Sequence, residues 1–456
     1  MRKYSKHRNY TKTYFFAQDR QKTLFFCYNR GCPLKLAKTF DLKIYERPTI
    51  NMRSSKKILS LLLTILLLLS VSNAYAKPIG TKASSETQSV SFIHWSDIHL
   101  GDSYTPRSVW NEAFAAGRGD DLASFYILSG DLVDNKELDN LQFNNRVADF
   151  CSSYLEPLVK EGKPVLVTYG NNDFYINYNT DPENMRPTMD LWRKAMGDQY
   201  YLDELGNGVY PERMGGITWI TLNSLIFSPI NSCPPDELKS QRERTLSWLE
   251  AALSAVPDNN TAVIVCHVPP CTDAYNHKSM WDDNSLKTFH KIVSNIGCHV
   301  IVTSGHTHRN ELHTLCVSDI ETVPIVIVGS IAQKYGYYAN YRRTTWEFNK
   351  QTGLAENLSW DLKYIDPEKG CRTEVVEGPT LPKTWLDFRR QIAEDDEAYK
   401  YYLRDFYSCE DNWSKLISDQ KLRQALVEEV FVNTGLEGCD PAVDDSDETE
   451  EEAEAA

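Results

Sequence analysis

Short runs of apolar residues, each the length of a β-strand, recur along the central part of the chain and are followed by polar residues. Seven such runs with their polar ends occupy residues 91–97, 125–131, 165–173, 217–223, 262–267, 300–308 and 324–330. Helix-length stretches, such as residues 241–255, separate several of them. Apolar runs of this length predict buried strands. Their alternation with helices predicts a layered α/β domain over residues 91–365.

The pattern changes after about residue 366, where apolar residues recur at helical spacing instead. They form three groups: Trp385, Phe388 and Ile392; Tyr399, Tyr402, Leu403 and Phe406; Leu422, Leu426 and Val430. This spacing predicts a helical C-terminal subdomain over residues 366–440. Residues 441–456 are rich in Asp and Glu and predict a disordered acidic tail.

A targeting segment precedes the predicted domain. Residues 52–76 contain a basic start, a short apolar run and the tripeptide Ala74-Tyr75-Ala76, which are the three parts of a secretory signal peptide. The apolar run is shorter than the roughly 20 residues of a membrane-spanning helix. We therefore expect cleavage near Lys77, rather than a membrane anchor, and no stable membrane span afterwards.

The same interpretation assigns roles to the segments before and after this predicted signal peptide. Residues 1–51 would be an upstream extension from a mis-assigned start, with a genuine cytoplasmic extension as the alternative. Residues 77–90 are polar and predict a linker. The chain is expected to be secreted or to reside in another extracytoplasmic space, such as a periplasm or a lysosome-like or vacuole-like lumen.

The charge balance argues against a nucleic-acid partner. The chain has 49 Lys+Arg and 63 Asp+Glu, of which residues 1–76 contain 15 and 3. Cleavage would leave 34 basic and 60 acidic residues, a net charge of −26. Binding to a nucleic-acid backbone requires basic patches, so none is expected here.

Cysteine usage fits export, because an oxidising compartment permits disulfides. Nine of the 11 cysteines follow Ala76. Two groups are disulfide candidates: Cys371, Cys409 and Cys439, and Cys266, Cys271, Cys298 and Cys316. No Cys-x-x-Cys pair occurs, which disfavours a thiolate zinc cluster.

Five of the apolar runs end in residues that can bind a metal ion. These endings are Asp97-Ile98-His99, Gly130-Asp131, Gly170-Asn171-Asn172-Asp173, His267 and Gly305-His306-Thr307-His308. In an extended segment, residues i and i+2 point to the same side, so Asp97 and His99 are expected to share one cation. Functional residues gather at the carboxyl ends of strands in open α/β sheets, so all five motifs should converge on one edge of the sheet. Each motif alone is common; the ordered set predicts a metal site.

This ordered set resembles the calcineurin-like metallophosphoesterase superfamily over about residues 91–330. The resemblance implies a four-layer α/β/β/α sandwich and a site for two divalent metal ions, with a bridging hydroxide as nucleophile. It implies Asp97, His99 and His308 for one metal, Asn171, His267 and His306 for the other, and Asp131 as the ligand that bridges both. Imidazole and carboxylate ligands suit Zn²⁺, Mn²⁺ or Fe, and export favours zinc.

Within the superfamily, the chain resembles the acid sphingomyelinase-like phosphodiesterases, which are exported and have a helical C-terminal subdomain with paired cysteines. Two positions depart from that pattern. Asn172 stands where the family has the His that protonates the leaving group, and Asn135 stands where the branch carries a second His. An amide donates a hydrogen bond but delivers no proton. The GNND sequence also resembles the third motif of vacuolar endopolyphosphatases.

These observations predict an exported dinuclear-metal phosphoesterase that hydrolyses a phosphodiester. Its substrate would be a small-molecule or lipid phosphoester, or polyphosphate. One alternative is an endopolyphosphatase that cleaves phosphoanhydrides. The other is an inactive, metal-bound binding protein, because Asn172 replaces the family's acid His.

Overall fold

The computed structural model describes eight stretches of the chain: residues 87–273, 278–317, 322–333, 338–350, 355–366, 370–374, 394–406 and 423. The strands are β1 (Thr87–Trp95), β2 (Phe125–Leu128), β3 (Val165–Val167), β4 (Gly208–Val209), β5 (Thr218–Thr221), β6 (Thr261–Val265), β7 (His299–Ser304), β8 (Glu311–Cys316), β9 (Thr322–Ile327), β10 (Ala339–Asn349), β11 (Ala355–Asp366) and β12 (Gly370–Glu374). The α-helices are α1 (Arg107–Arg118), α2 (Asn140–Phe150), α3 (Glu156–Lys160), α4 (Pro182–Met196), α5 (Pro235–Ser254), α6 (Asp283–Val293) and α7 (Asp396–Phe406). A π-helical turn, Cys151–Leu155, joins α2 to α3, and 3₁₀ turns occupy Gly197–Gln199 and Ser224–Phe227.

The strands form two six-stranded sheets. The first has the order β12-β11-β10-β1-β2-β3 and the second β4-β5-β6-β7-β9-β8. Strands β1, β2 and β3 run parallel, as do β5, β6, β7 and β9. Each of the seven apolar runs in the sequence overlaps one of these seven strands. The predicted α/β architecture is therefore confirmed.

An aromatic core fills the space between the two sheets. Phe92 of β1 stacks on Phe125 of β2 with ring centres 4.9 Å apart, and its edge meets Trp219 of β5 at 5.4 Å. Trp219 also stacks on Trp346 of β10 at 5.8 Å. Each such aromatic pair contributes about 0.5–1.5 kcal/mol beyond the burial of its area. These rings join the two sheets face to face.

Helices cover the outer faces of both sheets. Side chains alternate along a strand, so Trp95 of β1 points away from Phe92 and stacks on Phe114 of α1 at 4.8 Å. On the second sheet, Ile264 of β6 belongs to the same apolar cluster as Leu249 of α5. The order helix, sheet, sheet, helix gives the four layers that the resemblance implied.

The predicted helical subdomain is represented by a single helix among the described residues. Tyr399, Tyr402 and Leu403 of α7 are buried in the apolar cluster that contains Phe92 and Trp219. This helix therefore packs into the core between the sheets. The other two groups of apolar residues lie outside the described residues, so the subdomain as a whole stays a prediction.

Several N- and C-terminal expectations also concern residues that are not described. They are the upstream extension, the signal peptide, nearly all of the linker and the acidic tail. Strand β1 begins at Thr87, inside the segment that the sequence predicts as linker. Among the residues that the structure describes, no helix combines the length and the apolar character needed to cross a bilayer.

The structure contradicts part of the predicted disulfide set. Cys266, Cys271 and Cys298 are buried free thiols. The thiol of Cys266 donates to the carbonyl of Val268, and that of Cys298 donates to the carbonyl of Leu253, both at 3.6 Å. The thiols of Cys266 and Cys298 are therefore hydrogen-bonded to the main chain rather than paired in a disulfide. The side chains of the remaining candidates, Cys316, Cys371, Cys409 and Cys439, lie outside the described part of the chain.

Candidate metal centre

The seven predicted ligands follow five strands of two different sheets. Asp97 and His99 follow β1, Asp131 follows β2 and Asn171 follows β3 of the first sheet; His267 follows β6, and His306 and His308 follow β7, of the second. The expectation that all motifs meet at one edge of one sheet was therefore wrong. The chain begins a second sheet at β4, and the carboxyl ends of both sets of parallel strands face the same site.

The backbone at these motifs is left-handed rather than extended. The φ angles are positive at five of the seven ligands: Asp97 (48°), His99 (44°), Asp131 (51°), His306 (79°) and His308 (62°). The extended-strand argument for Asp97 and His99 was therefore wrong, because a tight turn brings them together. Such conformations cost roughly 1–3 kcal/mol each and persist at functional sites where surrounding contacts hold them. Here the amides of Asp97 and His99 donate to the carbonyls of Gly130 and Asp131, at 3.1 and 2.8 Å.

A glycine precedes a ligand in three of the motifs because the turns approach one another closely. A Cβ at Gly170 would lie 2.1 Å from the amide nitrogen of Asp131. A Cβ at Gly305 would lie 1.6 Å from Oγ of Ser96. Gly130 has a φ of +94°, and its Cβ would meet both Gly170 and the ring of His267. Larger residues would push the ligand turns apart.

The first ligand group is Asp97, His99 and His308. With Asp131 these residues form a buried cluster whose ligand atoms lie within 4.8 Å of one another. Nε2 of His308 is 3.3 Å from Oδ1 of Asp97, and Nε2 of His99 is 3.4 Å from Oδ2 of Asp131. Oδ2 of Asp97 accepts from Oγ of Ser96 at 2.6 Å and from the amide of His306 at 2.8 Å. Its Oδ1 is buried and has no hydrogen-bond donor in the described part of the chain. This oxygen is placed as a ligand atom would be.

The second ligand group is Asn171, His267 and His306, and His267 lies at its centre. Nε2 of His267 lies 3.3 Å from Oδ1 of Asn171 and 3.2 Å from Nδ1 of His306. The other ring nitrogen of His267, Nδ1, donates to the main-chain carbonyl of Ser129 at 2.7 Å. This hydrogen bond fixes the orientation of the ring and leaves Nε2 as the nitrogen directed at the group, as metal-binding histidines require.

Asp131 lies between the two groups. Its Oδ2 faces His99 and its Oδ1 faces Nε2 of His267, each at 3.4 Å. One carboxylate with an oxygen toward each set of ligands has the geometry of a shared ligand. The nitrogen-and-oxygen donor set of both groups fits zinc, manganese or iron.

The charged side chains in this cluster shift one another's pKa values. Burial raises the pKa of Asp97 to about 6, and the charge of Asp131 acts in the same direction. Burial opposes ionisation of Asp131 as well, but interactions with His267 and His99 hold its pKa well below the ordinary value. Burial alone would lower the pKa of His267; the Asp131 carboxylate instead raises it to about 9. The ionisation of each ligand in the cluster therefore depends on the charges of its neighbours.

The two positions predicted for acid chemistry are occupied by hydrogen-bonded amides. The amide nitrogen and Nδ2 of Asn172 donate to the two carboxylate oxygens of Asp131, at 2.7 and 2.6 Å. Oδ1 of Asn172 accepts from Nδ2 of Asn177 at 3.2 Å. Nδ2 of Asn135 donates to the carbonyl of Phe174 at 2.9 Å. The structure thus places Asn172 against the shared carboxylate and turns Asn135 toward the main chain.

Asp173 has a structural role that the sequence did not predict. This buried side chain accepts from the amide of Gly170 through Oδ2 and from the amide of Leu132 through Oδ1, both at 2.7 Å. It therefore joins the turn after β3 to the turn after β2. Burial and the nearby charge of Asp131 raise its pKa to about 8. Its place directly after Asn171-Asn172 was the available signal.

His94 is a packed residue that also supports the site. Its Nε2 lies 2.7 Å from Oγ of Ser129 and its Nδ1 lies 3.3 Å from Oγ1 of Thr303. Thr303 belongs to β7 of the second sheet, so this ring joins the two sheets beneath the ligands. Burial, together with the charge of Arg342, lowers the pKa of His94 to about 3 and keeps the ring neutral.

The chain is similar to several known proteins. Residues 90–310 match the calcineurin-like phosphoesterase family. No curated protein matches the chain. Similar solved structures include a dimetal phosphatase from Danio rerio (15% identity, TM-score 0.41, covering 63% of this chain and 99% of that chain) and a 5′-nucleotidase from Candida albicans (15% identity, TM-score 0.35, covering 75% and 58%). A phosphatase from Mycoplasma pneumoniae is 11% identical, with a TM-score of 0.31, and covers 61% of this chain and 94% of that chain.

The family match and the buried Asp/His cluster together support a site for two divalent metal ions and the activity of a metal-dependent phosphoric ester hydrolase. The match spans the strands that carry all seven predicted ligands. Residues 90–310, just under half of the chain, therefore resemble a calcineurin-like phosphoesterase domain.

Proposed function

We propose that this chain is an exported phosphodiesterase of the acid sphingomyelinase-like type that works with two divalent metal ions, zinc in the first instance. The observation that carries the proposal is the position of Asp131, which directs one carboxylate oxygen to each ligand group, 3.4 Å from His99 and 3.4 Å from His267. One group would consist of Asp97, His99 and His308. The other would consist of Asn171, His267 and His306, and Asp131 would serve both.

Two metal ions bound at these positions would supply Lewis-acid stabilisation of phosphoryl oxygens and an activated water. The chain's own residues prepare the site for that chemistry. The carbonyl of Ser129 holds His267 in the tautomer with a free Nε2. Both donors of Asn172 restrain the Asp131 carboxylate. Burial of the ligands limits the access of bulk water and strengthens every electrostatic interaction within the site.

Preference for a diester follows from the resemblance to the sphingomyelinase-like branch and is part of the proposal. A small-molecule or lipid phosphoester is the proposed substrate class. The described residues give no support for polyphosphate. An inactive binding protein is favoured by one observation, which is that an amide, Asn172, lies where the family has an acid. Turnover decides between enzyme and binding protein.

The test compares bis(p-nitrophenyl) phosphate with p-nitrophenyl phosphate, using protein loaded with zinc or with manganese. We expect hydrolysis of the diester, at a higher kcat/KM than the monoester, and loss of both activities in Asp131→Ala. Preference for the monoester would overturn the diesterase assignment and leave a phosphomonoesterase. Stoichiometric metal binding without turnover of either compound would instead identify a binding protein.

Export is proposed from the sequence alone, on the signal-like residues 52–76. Expression in a secreting host, followed by N-terminal sequencing of the protein in the medium, tests it. We expect a mature chain that begins near Lys77. Protein that starts at Met1 and stays with the cells would contradict this part of the proposal.

A further inference from the structure

Tyr178 lies beside the second ligand group and has no role in the arrangement described so far. Its hydroxyl is 3.3 Å from Nε2 of His306, although 128 positions separate the two residues. The two rings meet edge to face, with centres 6.2 Å apart and planes at 83°. Tyr178 is half-buried, so its ring covers His306 at the margin of the site.

The backbone holds Tyr178 in a strained conformation that aims the hydroxyl at this histidine. Its φ angle is 51°, a left-handed value that costs a residue with a side chain roughly 1–2 kcal/mol. The carbonyl of Tyr178 accepts from the amide of Ser232 at 2.7 Å and from its Oγ at 3.3 Å. The amide of Tyr178 donates to the carbonyl of Asn171 at 3.4 Å. Strain that is retained in this way at a ligand group points to a role there.

The orientation of His306 explains what this contact achieves. Nδ1 of His306 faces Nε2 of His267 at 3.2 Å, so Nδ1 is the nitrogen directed into the second ligand group. A histidine that binds metal through one nitrogen donates the hydrogen of the other to an outer acceptor, which fixes its tautomer and ring angle. For His267 that acceptor is the carbonyl of Ser129. For His306 the corresponding acceptor is the phenolic oxygen of Tyr178.

We propose that Tyr178 is a positioning residue for His306, and that it sets the affinity of the second ligand group for its metal ion. The phenolic oxygen accepts the Nε2 hydrogen and keeps Nδ1 directed at the group formed with Asn171 and His267. This inference rests on the proposed function, because it requires two bound metals. The hydroxyl of Tyr178 faces a nitrogen of the second group, so the affinity of that group should depend on Tyr178 more than the affinity of the first.

The test is Tyr178→Phe, which removes the hydroxyl and keeps the ring. Zinc binding to the metal-free protein is measured by competition with a chromophoric chelator, without reference to activity. We expect one of the two sites to lose about 10–100-fold in affinity, as outer partners of metal-binding histidines typically cause. The other site and the thermal unfolding of the metal-free protein should change little. Tyr175→Phe, an exposed tyrosine in the same segment, is the matched control and should behave as wild type.

A double-mutant cycle separates this role from a general structural one. If Tyr178 acts through His306, Tyr178→Phe should have no further effect on zinc affinity in the His306→Ala background. An additive loss in the double variant would overturn the proposal. So would unchanged affinities in Tyr178→Phe, or an equal loss at both sites. If the wild-type protein itself binds fewer than two zinc ions, it is the proposed function that fails.

Discussion

Nε2 of His99 lies 3.2 Å from Nε2 of His308, although 209 positions separate the two residues. The carboxylates of Asp97 and Asp131 lie within reach of the same two nitrogens. Buried charged groups are costly unless they are paired or bind a metal ion. A divalent cation would satisfy all four residues at once. The long sequence separation shows that the complete fold, rather than a local motif, assembles this group.

Asp131 faces both ligand groups. Its removal should therefore reduce zinc binding more than the removal of a ligand that belongs to one group. Asp131→Ala should hold at most one zinc ion per chain under conditions that saturate wild type, because both groups lose a ligand and the two cations lose their shared anion. His308→Ala should keep the second group and weaken only the first. Elemental analysis after gel filtration measures both, with His290→Ala on α6 as a control. Two retained metals in Asp131→Ala would show that the shared-ligand assignment is wrong.

Gly130 and Gly162 form a matched pair for testing the close approach of the ligand turns. Both have positive φ angles, +94° and +76°, but a Cβ at Gly130 would lie 2.7 Å from the His267 ring, whereas nothing lies within 4 Å of one at Gly162. Gly162→Ala should cost roughly 1–2 kcal/mol of unfolding free energy from backbone strain alone. Gly130→Ala should cost more and should weaken zinc binding. Equal losses, with zinc affinity kept, would contradict the packing argument.

His94 should make the metal-free protein sensitive to acid. Burial lowers its pKa from 6.5 to about 3, so below pH 6.5 the unfolded chain takes up a proton that the folded chain refuses. The stability that depends on neutral His94 is therefore complete above pH 6.5 and is lost as the pH falls toward 3. In His94→Gln this contribution disappears, and the acid slope should become shallower by up to about 1.4 kcal/mol per pH unit.

Denaturant unfolding of both proteins between pH 4 and 8, with a chelator present, measures these slopes. The comparison uses slopes rather than absolute stabilities, because Gln cannot reproduce both hydrogen bonds of the His94 ring. Parallel curves for the two proteins would mean that His94 is protonated in the folded state as readily as in the unfolded chain.

Asn172 predicts a steep dependence of rate on the leaving group. A positioned acid usually contributes about 10²–10⁴-fold, most of all for poor leaving groups. Because Nδ2 of Asn172 is directed at Asp131, this position offers the leaving oxygen no proton. Nitrophenyl diesters should be cleaved well and alkyl diesters poorly, and Asn172→His should speed the alkyl esters selectively. A flat plot of log kcat/KM against leaving-group pKa in wild type would show that another group acts as the acid.

The sequence was sufficient for the strands that end in ligands, because each is a continuous apolar run. It was not sufficient for β10 and β11, where charged residues interrupt the apolar pattern. Arg343 of β10 donates to Asp120 at 3.1 Å, and Lys363 of β11 lies 3.6 Å from the same carboxylate. These pairs satisfy the charges within the fold, and they join positions far apart in the chain.

The candidate site, like the strands, was predictable from the sequence only in part. The seven candidate ligands were predicted from their positions after apolar runs, and the structure places them near one another. Their turn geometry was not predicted, because left-handed φ angles at Asp97 and His99 depend on bonds to the turn after β2. The contact of Tyr178 with His306 depends on two loops from different sheets, and no local sequence pattern marks it.

Two metal ions, held by two groups that share Asp131, are proposed to make this domain a phosphoesterase. The rate of bis(p-nitrophenyl) phosphate hydrolysis, measured as zinc is added stepwise to the metal-free protein, tests this proposal. We expect the rate to rise to a plateau at about two equivalents of zinc per chain. Full activity at one equivalent or in the presence of excess chelator, or no turnover with two zinc ions bound, would overturn the proposal.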